Sequence, residues 1–94
     1  MNISNNNVDI PPKPILVSCM PLDEWKKKLT TGEIKVLNCI SNLYLIKNKA
    51  GDYIVAKVKF PCVILYLFEN NKKAVRYYNL EADIILAVDY GEGV

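Results

Sequence analysis

Tyr53-Ile54-Val55-Ala56-Lys57-Val58-Lys59-Phe60-Pro61-Cys62-Val63-Ile64-Leu65-Tyr66-Leu67-Phe68 is the stretch whose reading decides the fold. Its first half alternates. Ile54, Ala56, Val58 and Phe60 point one way, and Tyr53, Val55, Lys57 and Lys59 point the other, as in a strand with one wet face. From Cys62 to Phe68 every position is apolar, the pattern of a strand covered on both faces. Pro61 separates the halves and cannot donate to a ladder, so a bend belongs there. The sheet therefore has something on its second face, either an element of the chain or a partner.

Working outward, Asn48-Lys49-Ala50-Gly51-Asp52 is a tight turn that folds Tyr53–Phe60 back on a preceding strand. Ile34–Ile40 and Leu43–Ile46 read as strands, with a break or bulge at Ser41-Asn42. Upstream, Ile15–Cys19 is a short first strand. Pro21 then opens a helix, with Asp23 and Glu24 in the first turn and Gly32 as its stop. Leu22, Trp25 and Leu29 form one apolar stripe, and Lys26, Lys27 and Lys28 fan over the opposite side. Downstream, Glu69–Lys72 reads as a turn, followed by strands over Ala74–Tyr78 and Asp83–Val88.

Successive strands joined by short turns are antiparallel neighbours. The expected fold is α+β: a five- to six-stranded, mainly antiparallel sheet curled into a partly open small barrel and capped by one short N-terminal helix. The chain divides into an N-terminal arm over 1–14, marked by Asn5-Asn6-Asn7 and Pro11-Pro12-Lys13-Pro14, a single domain over 15–90, and a tail over 91–94. One short helix shields two or three strands, because helices pack ~10 Å apart and strands ~4.8 Å. Whatever it misses is the first candidate for a binding surface.

The apolar fraction of this 94-residue chain is 51%, high for its size, which points to surface hidden in a homodimer. Net charge is +2, but it is unevenly spread. Residues 21–78 hold eleven basic and five acidic side chains, and residues 79–94 hold four acids and no base. Lysine outnumbers arginine eleven to one, and Asn and Ile occur ten times each, as in AT-rich viral coding sequences. The first ten residues are polar, unlike a secretory leader, and no apolar run approaches the ~20 residues of a membrane span. The expected location is cytoplasmic, the cytoplasm of a host cell included.

The chemistry is sparse. Cys19, Cys39 and Cys62 lie about twenty residues apart with no histidine in the chain, so no zinc set assembles and no thiol has an imidazole base. They read as small buried hydrophobes. The four glycines form no phosphate loop. No catalytic residue, metal ligand or cofactor is expected. Two surfaces remain. Lysines Lys26, Lys27, Lys28, Lys35, Lys57 and Lys59, with Arg76, form a candidate nucleic-acid patch, though one arginine and a pI of 8.4 are modest for that role. Tyr53, Tyr66, Tyr77 and Tyr78 are candidate protein-interface residues, since exposed aromatics anchor interface centres.

From Ile15 to Asn38 the order of strand, helix and Gly32-Glu33-Ile34-Lys35-Val36 resembles the opening of the ASCH and wider PUA-like barrels. Gly32 matches that family's motif; Leu37 and Asn38 depart from its charged positions. The resemblance implies a small β-barrel that binds RNA or modified nucleotides. The reading as a whole is a small non-enzymatic interaction protein, a viral or mobile-element accessory factor that binds and modulates another protein. The alternative is a nucleic-acid-binding module.

Overall fold

The structure, a computed structural model, describes residues 10–92. Residues 1–9 of the expected arm and 93–94 of the expected tail lie outside that range. The described residues form β1 (Leu16–Pro21), α1 (Leu22–Thr31), β2 (Ile34–Ile40), β3 (Leu43–Asn48), β4 (Tyr53–Lys59), β5 (Cys62–Leu67) and α2 (Asn71–Glu92). The five strands make one sheet in the order β1-β5-β4-β3-β2, with every neighbouring pair antiparallel.

The strands from β2 to β5 run as a meander. Ser41 and Asn42 are a two-residue hairpin turn rather than a break, with Ser41 at φ +55° and Ile40 directly opposite Leu43. Asn42 secures it by donating from its side chain to the Val58 carbonyl at 3.0 Å. The one irregularity of the ladder is at Leu37, where the register slips between Val36 and Asn38. In the β3–β4 turn Gly51 adopts φ +92°, a region open to glycine.

α1 joins the two edge strands by crossing one face of the sheet. Asp23 and Glu24 lie in its first turn and Lys28 in its last. Gly32 closes it at φ +83°, its N–H reaching the Leu29 carbonyl at 3.3 Å. The stripe works as expected: Trp25 is 3% exposed, packs with Ile34, Ile46, Ala56 and Val63, and meets Tyr44 edge-on at 5.5 Å.

The largest departure is C-terminal. Ala74–Tyr78 and Asp83–Val88 are not strands but parts of one 22-residue helix. Tyr, Val and Ile favour strands, but that preference yields to packing. Asn70 caps the helix by accepting the Lys73 N–H at 2.9 Å. Asn71 pins its start to the β3–β4 turn, donating to the Gly51 carbonyl at 3.0 Å and accepting the Tyr53 N–H at 2.9 Å. Ala74, Tyr78, Ala82 and Ile85 then fall at helical spacing against Leu43, Leu45, Val55 and Phe68. Replacing Asn70 by alanine is expected to cost ~1 kcal/mol in urea unfolding; a loss indistinguishable from zero would show that the cap carries nothing.

The sheet is also not a barrel. β1 and β2 are its two open edges, separated by three strands, so roughly 19 Å apart. Closure is unnecessary because α2 covers the face that curling was expected to hide. The result is three layers, with one core under α1 and another under α2. Tyr53 and Val55 face α2 while Ile54, Ala56 and Val58 face α1, so the side chains alternate as read, but the face expected to be wet is covered by α2, with Val55 fully buried.

Candidate functional site

The helices cover the sheet unequally. α1 packs against β2, β1 and β5, and α2 against β4 and β3. On the α2 side, β5 meets the helix through Tyr66 and the following Phe68, which pack on Tyr77, and β1 lies beyond β5 at the edge of the sheet. The register puts Val17 beside Tyr66 and Cys19 beside Ile64, so these four share that face. Val17 is 53% exposed there, and Leu16, on the opposite face of the same strand, is 55% exposed. Ile15 just before them is more exposed still, although its N–H extends the ladder to the Leu67 carbonyl at 2.7 Å.

α2 contributes a second apolar border. It starts beside Tyr53 and reaches Glu81 beside Lys57, so it runs along β4. Its 22 residues span ~33 Å, whereas the seven of β4 span ~23 Å, and its end overhangs the sheet. Ile84 and Val88 are exposed on that end. They lie on the flank of Tyr77, which meets Tyr66 at 5.6 Å and Phe68 at 5.0 Å, so this flank borders β5.

The two edges differ. β1 reads Leu-Val-Ser-Cys-Met-Pro, with no charge and a regular register. β2 carries Lys35 and the Leu37 bulge, features that discourage further pairing. Cys19 and Cys39 are exposed rather than buried, because each lies on an edge strand; Cys62 is half-buried, and all three are free thiols.

The tyrosines expected at an interface sit mostly within the monomer. Tyr78 is 3% exposed, and burial pushes its phenol pKa up, with the Cys39 thiol adding to that. Tyr66 and Tyr77 pack between α2 and β5, and burial likewise raises Tyr77. Tyr53 is half-buried against the α2-side core.

The seven basic residues expected in one patch are dispersed. Lys26 and Lys27 are exposed on α1. Lys28 is taken by Glu33 at 3.1 Å and Glu24 at 4.0 Å. Lys57, on the α2 side, donates to Glu81 at 2.9 Å and lies 5.4 Å from the Tyr66 ring centre. Partial burial pulls the Lys57 pKa down, but Glu81 and the phenols of Tyr77 and Tyr66 outweigh that and leave it raised. Lys59 ends β4, Arg76 is exposed on α2, and Lys35 lies on the far edge. Lys35 does have basic neighbours, Lys47 and Lys49, which the candidate patch left out. The signal was the two-residue turn at Ser41-Asn42: pairing outward from it, past the bulge, sets Lys35 opposite Lys47.

Among the described residues no group of His, Cys, Asp or Glu is placed to hold a metal ion, and no helix is long and apolar enough to cross a membrane. No protein-family model, curated protein or solved structure matches the chain.

Proposed function

We propose that this is a small non-enzymatic interaction protein whose binding surface is strand β1 with the sheet face beside it, and that its first partner is a second copy of the chain. The observation that carries the reading is β1 itself: an uncharged edge strand with Leu16 and Val17 each more than half exposed. Open edges are normally blunted by charge, proline or a bulge; β1 carries a proline only at its last position, Pro21, and its Leu16–Met20 stretch stays open to pair with another strand. β1 also suits its own copy. Set antiparallel about Ser18, Leu16 meets Met20, Val17 meets Cys19 and Ser18 meets Ser18, so no like charges oppose. Such pairing places two α2 overhangs, each bearing Ile84 and Val88, above one continuous apolar floor.

An intracellular accessory factor of a virus or mobile element fits this reading: a dimer without catalytic machinery whose remaining surface engages and modulates a host protein. The nucleic-acid alternative draws no support from Lys26–Lys28, Lys57 and Lys59 acting together, since these lie on opposite faces.

Light scattering after size exclusion tests the dimer. The expected mass is twice the 10.7 kDa of the chain, falling to 10.7 kDa in Val17→Lys, which puts a charge on the pairing edge. A wild-type mass of 10.7 kDa at every concentration would overturn the proposal.

A further inference from the structure

At the edge opposite β1 the fold gathers positive charge without neutralising it. Lys35 of β2 stands directly across from Lys47 of β3. Directly opposed residues have Cα atoms ~4.5–5.5 Å apart, and like charges so placed destabilise a sheet. Lys49 follows in the β3–β4 turn, and the three lysines, with Gly32 and Asn48, line an open cleft of about 320 Å³. One wall is low, since no atom lies within 4 Å of where a Gly32 side chain would begin.

Among the described residues none of these three lysines makes an ion pair. Lysine salt bridges among the described residues use Lys28, Lys57 and Lys73. The acid next to the cleft in sequence, Glu33, is already held by Lys28 at 3.1 Å. Charge continues beyond the corner: Tyr53 stands opposite Lys47 on β4, and it borders a second groove lined by Lys72 and Arg76 of α2.

We infer that Lys35, Lys47 and Lys49 form a phosphate-binding corner that takes the backbone of a nucleic acid. The chemistry favours a chain of phosphates over a single one. A lone phosphate is normally gripped by backbone N–H groups or a bidentate arginine in an enclosed site. Here three mobile ammonium groups are spread over two strands and a turn in the open, which matches successive backbone phosphates and carries no base readout. Tyr53 adds a partly exposed ring beside them on which a base can stack. The corner lies on the edge away from β1, so it stands independently of the dimer.

Fluorescence anisotropy with a labelled single-stranded DNA of about 20 nucleotides, titrated from roughly 25 to 200 mM salt, tests it. Three contacts predict a log–log salt slope of about −2. Lys35→Glu with Lys47→Glu is expected to weaken binding by tenfold or more at ~50 mM salt and to flatten the slope to about −0.7. Lys26→Glu with Lys27→Glu, on α1, is expected to change it less than about threefold. Lys35→Glu alone replaces a repulsive cross-strand pair by an attractive one, so its melting temperature should not fall while its affinity does. Absence of binding at low salt would overturn the inference, as would equal losses in the two double variants. Full displacement by inorganic phosphate at matched ionic strength would overturn the nucleic-acid assignment in favour of a small-anion site.

Discussion

Trp25→Ala is expected to cost the fold ~3–5 kcal/mol, the range for truncating a buried aromatic. A chain of 94 residues has ~5–14 kcal/mol of stability in all, so this single change removes a large share of it. The expectation rests on how little else holds α1. Ten residues do not make a stable helix in water. Of those ten, Trp25 alone is buried, with Leu22 and Leu29 only partly so. The indole touches the core formed by Ile34, Ile46, Ala56 and Val63 and meets the Tyr44 ring at 74° between planes, so its removal leaves a cavity under the whole crossing. Urea unfolding followed by circular dichroism measures the loss. A cost near 1 kcal/mol would mean that α1 is held by its ends, not by its face.

The same residue shows which part of the fold the sequence makes legible. The first helix is announced three times over, by Pro21, by the acids of the first turn and by Gly32, and its stripe is short enough to name one buried anchor. Most of the β2–β5 meander is open to reading, because the turn at Gly51 and the bend at Pro61 punctuate its strands, whereas Ser41-Asn42, read as a break or bulge, is a hairpin turn. The C-terminal third is harder to read because two signals conflict there. Val75, Tyr77, Tyr78, Ile84 and Ile85 favour strands one residue at a time. The helical spacing of Ala74, Tyr78, Ala82 and Ile85 emerges only over about three turns, and Asn70 is as good a turn residue as a cap. Misreading that segment also forced the barrel, since a strand in place of α2 leaves the second face of Cys62–Phe68 to be covered by curvature. The all-apolar run from Cys62 to Phe68 already required a second layer, and α2 supplies part of it through Tyr77 on Tyr66 and Phe68.

The candidate surface was less legible for a related reason. Tyrosines look like interface residues in a list of sequence letters, yet α2 turns Tyr78 inward and locks Tyr66 against Tyr77. The residues left bare, Ile15, Leu16 and Val17, look like core in the same list. Their exposure follows from strand order, which places β1 at an edge, and from the diagonal path of α1, and neither is written in local pattern.

Ala82→Pro separates the helix from the strand pair with a large effect and opposite expectations. If residues 74–78 and 83–88 were strands, Ala82 would fall in the turn between them, where proline is tolerated. In α2 it lies in the interior of a 22-residue helix, with eleven residues before it and ten after. Proline there removes the i→i−4 hydrogen bond to Tyr78 and drives its ring into that carbonyl, at a cost of ~3 kcal/mol or more. Ala82 also packs on the α2-side core, so the kink lifts Ile85 and the overhang from the sheet and strains the Lys57–Glu81 bond one residue earlier. The expected outcome is a drop in urea midpoint with a loss of helical signal at 222 nm that Ala82→Ser does not reproduce. A proline variant as stable and as helical as its parent would mean that the second face of the sheet is not covered by this helix, and the surface proposed for partner binding would have to be redrawn with it.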